Sequence, residues 1–209
     1  MIKNEKIPVI GITGGAGSGK SYIAELMKEV CKVYHINTDR ISQGQMAKGG
    51  CVYREVVDYF GSEFLDDDGE IDRKKLGEYV FHYPGELAKL NAITHPPVHD
   101  EVKCRMLEAN ALGADVILLE TALLLEAGYK EICDEVWYVY ASRRIRSMRL
   151  CETRGYSEDR IRAMFKRQKS DRYFREHADY VLVNQSRDAE RIKAAIRRRL
   201  KKYQINVVR

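Results

Sequence analysis

Apolar residues fall into two alternating rhythms along this chain. Continuous short runs read as buried strands: Ile7–Ile12, Val33–Ile36, Asp115–Glu120, Asp134–Tyr140 and Ala178–Asn184. Between them, apolar positions recur at helical spacing. Ile23, Leu26, Met27 and Val30 form one stripe, Tyr53, Val56, Val57 and Phe60 another, and Ile192, Ile196, Leu200 and Tyr203 a third. The alternation is that of an open α/β sheet, with Asp115–Glu120 the best candidate for its central parallel strand. Residues 40–112 break the rhythm, being mostly helical with no obvious strand. So long a helical segment between strands suggests a substrate-binding insertion. Within it, Asp66–Glu70 is a turn, Ile71–Leu76 starts a helix, and His95-Pro96-Pro97 is expected to break or restart one. From Ser142 the chain is helical again: Gly155 closes one helix and Ser157 opens another that runs through Gln168.

Between the first strand and the first helix lies Gly14-Gly15-Ala16-Gly17-Ser18-Gly19-Lys20-Ser21. Gly14, Gly19, Lys20 and Ser21 fit the phosphate-loop pattern G-x-x-x-x-G-K-[ST]. Glycines permit torsions that turn several N–H groups onto one anion. Lys20 is placed to reach the β- and γ-phosphates of a nucleotide, the Ser21 hydroxyl to hold Mg²⁺, and the helix to add its positive end. A chance glycine-rich turn would lack this strand–loop–helix context.

Other candidates follow from position. Ligands of open α/β sheets bind at the carboxyl ends of strands. Asp39, just past the second strand, is therefore a candidate general base or metal-side carboxylate; the competing reading is the N-cap of the next helix. Glu120, ending the third strand, could bind Mg²⁺ through water or orient a substrate. Glu126 is a further polar contact or a cap. His95 is a ligand contact or a structural residue. Arg143, Arg144, Arg146 and Arg149 lie within two turns, and guanidinium groups suit the spread charge of a phosphoryl in transfer. That hairpin reads as a lid, with a solvated charged face as the alternative.

Composition narrows the setting. At 209 residues the chain is one domain, or one domain with an insertion. Its net charge of +5 is unevenly spread. Residues 143–178 hold 12 Lys/Arg against 5 Asp/Glu, and residues 187–209 hold 9 against 2, so the remainder is acidic. The first segment suits a polyphosphate ligand. The second reads as the basic outer side of an amphipathic packing helix, with nucleic-acid contact as its alternative. Five scattered cysteines show neither C-x-x-C nor zinc spacing. The N-terminus lacks a signal peptide's apolar region, and no apolar run nears ~18 residues. A cytosolic protein with reduced thiols is expected.

Taken together, these stretches resemble the dephospho-coenzyme A kinases along nearly the whole chain. The phosphate loop is similar to that family's, Asp39 matches its acid after the second strand, and Leu90-Asn91-x-Ile93-x-His95-Pro96 is among its most specific stretches. Leu123-Leu124-x-Glu126 and Ala178-Asp179-Tyr180-Val181-x-x-Asn184 extend the match. The resemblance implies a phosphate-loop fold: a parallel five-stranded sheet with helices on both faces, a helical substrate insert (about 40–112) and a helical lid (about 143–178), in one domain. It implies ATP-dependent phosphorylation of the ribose 3′-hydroxyl of dephospho-coenzyme A in the cytoplasm, with Mg²⁺ and with neither nucleic acid nor membrane as partner. The implied nucleotide contacts are Gly14 through Ser21, Tyr22 and Asn184. Asp39, Lys20 and Arg149 would be catalytic. Asp39, His95, Glu120, Leu123 and Arg146 would meet the acceptor, and Ser21 and Glu120 the metal. The family usually has Asp at Asn37 and at Glu120, Thr at Tyr22, Pro at Ala122 and Lys at Phe174. Another small-molecule or nucleotide kinase is the alternative; a nucleotide-binding regulator whose basic terminal helix contacts nucleic acid is a more distant one.

Overall fold

The computed structural model describes residues 6–121, 124–125, 127–186 and 188–205. Five strands form a single sheet: β1 (Val9–Thr13), β2 (Val33–Asn37), β3 (Val116–Glu120), β4 (Glu135–Tyr140) and β5 (Tyr180–Val183). Their order is β2-β3-β1-β4-β5, and β1 pairs in parallel with both β3 and β4, as β4 does with β5. Every residue of β1 and β3 is buried, which explains why both read as unbroken apolar runs.

Register is pinned at the amino ends by one repeated device. Asp115, Asp134 and Asp179 each precede a strand, and each accepts through its carboxylate from the backbone N–H of a residue at the start of the neighbouring strand. The partners are Lys32, Val9 and Val136, all at 2.8 Å. The backbone N–H of each aspartate returns to the carbonyl of the same partner, again at 2.8 Å. A one-residue slip would lose all three two-way clamps.

The two faces of the sheet carry different helices. Ile10, Ile12, Val116, Leu118, Trp137, Val139 and Leu182 pack in one cluster with α1 (Lys20–Lys28) and α9 (Ala189–Leu200). On the opposite face, the Tyr138 ring stacks on Phe174 of α8 (Asp171–His177) at 4.9 Å between centroids. Helices α6 (Arg143–Arg154) and α7 (Glu158–Arg167) stand between β4 and α8 in the chain. The basic last helix is more than a solvated face: Arg199, Lys202 (3.1 Å) and Tyr203 (2.8 Å) converge on Glu135, a carboxylate almost wholly buried at the start of β4. Burial alone would raise the pKa of Glu135; its hydrogen bonds to Arg199, Tyr203 and Lys202 outweigh this and hold it below the ordinary carboxylate value.

The chain divides into two compact units, residues 1–36 with 109–209, and residues 37–108. The second unit consists of α2 (Thr38–Met46), α3 (Tyr53–Phe60), α4 (Arg73–His82) and most of α5 (Pro84–Ala111), around a core of Val52, Val56, Phe60, Phe64, Leu76 and Ile93. Asp72 caps α4, accepting from the N–H groups of Lys74 and Lys75 at 3.0 Å. The expected break at His95-Pro96-Pro97 is absent, since α5 continues through both prolines. They remove two helical N–H donors. However, Ile93, Val98 and Val102 are buried on either side of the interruption. Packing overrides the local penalty.

Candidate active site

β1 ends at Thr13, and the chain then turns through Gly14–Ser18 into α1, whose N-cap is Gly19. Gly17 (φ 76°) and Gly19 (φ 91°) lie in the left-handed region, and neither has room for a side chain. A Cβ on Gly17 would sit 2.7 Å from the Arg146 carbonyl, and one on Gly19 would collide with the Asn184 amide. The glycine spacing therefore records close approach as well as torsion.

The loop is gripped from behind by the arginine helix. Arg146 is buried in α6, donates Nε to the Ala16 carbonyl at 2.8 Å, hydrogen-bonds Gln168, and lies 4.4 Å from the centre of the Phe165 ring. Arg149, one turn on, donates to the Ser18 carbonyl at 3.2 Å and to the Asn184 carbonyl at 3.1 Å. Asn184, fully buried just beyond β5, donates Nδ2 to the Ser18 carbonyl at 2.8 Å. A trans peptide points its N–H opposite to its C=O. With the carbonyls of Ala16 and Ser18 held by these partners, the N–H groups of Gly17 and Gly19 point away from them. Lys20 folds over its own loop, Nζ to the Gly14 carbonyl at 2.8 Å, and Tyr22 is partly exposed on α1.

Glu120 ends β3 in register with Ile12, beside the start of the loop. Both of its oxygens are engaged: Oε1 accepts from the Ser21 hydroxyl at 2.7 Å, and Oε2 lies 2.9 Å from His35 Nε2. Burial works to raise its pKa, but the His35 and Ser21 hydrogen bonds and the charges of His35 and Lys20 prevail, and it falls below the ordinary carboxylate value. His35, on β2, was not foreseen from the sequence; it stands 85 residues from Glu120, and only strand order brings them together.

The other expected residues belong to the second unit or lie outside the described residues. Asp39 is exposed in the first turn of α2, but it is not the cap. Asn37 is, accepting from the Arg40 N–H at 3.0 Å. His95 is half-buried in α5, and its pKa is lowered by burial and then by nearby His99. The same unit holds a cavity of about 380 Å³ lined by Arg40, Ile41, Gln45, Glu101 and Arg105 among others. Gln45 donates Nε2 to the Pro97 carbonyl at 3.0 Å, while its Oε1 is buried without a hydrogen-bond partner. Leu123 falls outside the described residues, as do Ala122 and Glu126.

A sequence model of the family described as dephospho-CoA kinase matches residues 8–190. The chain belongs to the dephospho-CoA kinase family. Curated members include those of Carboxydothermus hydrogenoformans, 40% identical over 75% of this chain and 78% of the relative, and Corynebacterium diphtheriae, 37% identical over 86% and 90%. Among solved structures, TT1252 from Thermus thermophilus is 28% identical with a TM-score of 0.80, covering 95% of this chain and 98% of that one. A dephospho-CoA kinase from Campylobacter jejuni (20% identity, TM-score 0.66, covering 94% and 98%) and a shikimate kinase from Acinetobacter baumannii (15%, 0.53, covering 97% of each) share the fold. The parallel sheet, the phosphate loop and the membership thus agree, and a kinase of this family takes ATP as its phosphoryl donor.

Among the described residues no cluster of three or more His, Cys, Asp or Glu is arranged to hold a metal, and no helix is long and apolar enough to cross a membrane. A nucleotide-bound Mg²⁺ takes one or two protein oxygen ligands and completes its shell with phosphates and water. An ionised Glu120 drawing the Ser21 proton towards itself leaves oxygen lone pairs on Ser21 for such an ion.

Proposed function

We propose that this chain transfers the γ-phosphoryl of ATP to the ribose 3′-hydroxyl of dephospho-coenzyme A, giving coenzyme A and ADP, the last step of coenzyme A biosynthesis. The observation that carries the reading is a complete phosphate loop, held by two arginines and Asn184, in a member of the dephospho-CoA kinase family. The loop's N–H groups and Lys20 take the β- and γ-phosphates, with Lys20 giving up its carbonyl partner. The Asp39 carboxylate accepts the ribose proton as the 3′-oxygen bonds to the γ-phosphorus and the bond to the bridging β–γ oxygen breaks. Arg149 and Arg146 hold positive charge beside the loop as the transferred group spreads its own. Mg²⁺, when bound with ATP, neutralises phosphate charge and orients the leaving oxygen; Ser21 would hold it directly and Glu120 through water.

The second unit is read as the acceptor's side. Its cavity offers Arg40, next in the chain to Asp39, and dephospho-coenzyme A carries a complementary pyrophosphate. His95 and Leu123 are assigned to the same acceptor, and Tyr22 and Asn184 to the nucleotide side. The free cysteines fit a cytoplasmic, reducing setting.

The test is ADP release with dephospho-coenzyme A against shikimate, nucleosides and nucleoside monophosphates at equal concentration. Turnover should be confined to dephospho-coenzyme A and should vanish in Lys20→Ala. Comparable turnover with another acceptor overturns the substrate assignment, and full activity of Lys20→Ala overturns the loop's role.

A further inference from the structure

Ser21 is the metal-side residue of the loop, yet a serine hydroxyl rotates freely unless something fixes its proton. Here Glu120 Oε1 takes that proton at 2.7 Å. A glutamate carboxylate in turn rotates about a broad terminal torsion, so it needs its own restraint. His35 provides one, with Nε2 at 2.9 Å from Oε2. The three side chains come from three separate elements, α1, β3 and β2. The His35 and Glu120 side chains are only 13% and 5% exposed, so water does not compete for the contact. A carboxylate offers only lone pairs, and this fixes Nε2 as the protonated nitrogen of the ring.

We propose that His35 is a positioning residue of the phosphate loop: it holds the Glu120 carboxylate in the one rotation that draws the Ser21 proton inward and turns the Ser21 lone pairs outward to the divalent cation bound with the nucleotide. Its cation part rests on the kinase reading above. His35 touches neither substrate nor cation, and its effect passes through two hydrogen bonds. Partners of this kind, standing behind a metal ligand, commonly set metal affinity by about 10- to 100-fold.

The readout is the gain in ADP affinity on adding Mg²⁺, by calorimetry, with no acceptor present. A wrong acceptor assignment therefore leaves the result untouched. His35→Leu should bind ADP without metal like the wild type and lose about tenfold of the Mg²⁺-dependent gain. His35→Gln, which keeps an N–H donor, should recover most of it. In the Ser21→Ala background, His35→Leu should change nothing further, because the chain of contacts is already cut. An unaltered Mg²⁺ gain in His35→Leu overturns the proposal. So does an equal loss with and without metal, which marks a purely structural residue, or a failure of Gln to rescue. If His35→Leu does not fold, ¹⁵N NMR of the wild-type imidazole decides: an Nε2–H tautomer is required, and an Nδ1–H tautomer contradicts it.

Discussion

Asp39 had three readings in the sequence, general base, metal-side carboxylate or helix cap, and the structure gives the cap to its neighbour. The cap is Asn37, whose side chain takes the Arg40 N–H. Asp39, two positions on, leaves that bond intact when replaced. Asp39→Asn should therefore keep the α2 cap, with no loss of melting temperature from that source. It should lose the proton acceptor, with kcat falling by ~10²–10⁴-fold at saturating ATP while ATP affinity changes little. Wild-type kcat in this variant removes Asp39 from the chemistry. Steady-state kinetics beside thermal unfolding reads both quantities at once.

At the scale of elements, the central strands β1, β3 and β4 were legible because parallel strands buried on both faces read as unbroken apolar runs, and the phosphate loop because its glycines leave no alternative residues. What escaped was whatever depends on partners far away in sequence. The Pro96-Pro97 pair reads locally as a break, yet the buried residues flanking it carry α5 through. Lys202 reads as part of a solvated face, yet with Arg199 and Tyr203 it closes on Glu135, 64 to 68 residues earlier in the chain. Glu135→Gln should cost about 1–3 kcal/mol in denaturant unfolding at neutral pH. The sign with pH follows from its lowered pKa. The carboxylate's contribution is fully present above the ordinary carboxylate pKa and is lost as pH falls through the lower folded value, so wild type and variant should converge in acid. Equal stability at neutral pH would contradict the latch. Arg191, Arg198 and Lys201 are exposed on the same C-terminal segment, and none is an evident partner of Glu135. Changing all three to Gln should leave turnover near wild type, and a large rise in the acceptor's KM would bring this face into the site.

Over the whole molecule, charge and chemistry divide along the chain. The loop, its arginine helix, Asn184, Glu120 and His35 belong to one unit, and Asp39, His95 and the arginine-lined cavity to the other. A kinase needs both a donor and an acceptor, and the account assigns one to each unit. The donor loop stands out in a single contiguous stretch of sequence. The acceptor reading had only a long helical segment between strands and the family resemblance behind it, because the lining of the cavity comes from α2, the turn after it and α5, with no local motif to announce it. The identity and position of the new bond test this directly. After incubation with Mg²⁺, ATP and dephospho-coenzyme A, mass spectrometry and ³¹P NMR of the product should find one added phosphate, a monoester on the ribose 3′-oxygen. An unchanged acceptor, or a phosphate at any other oxygen, would contradict the account.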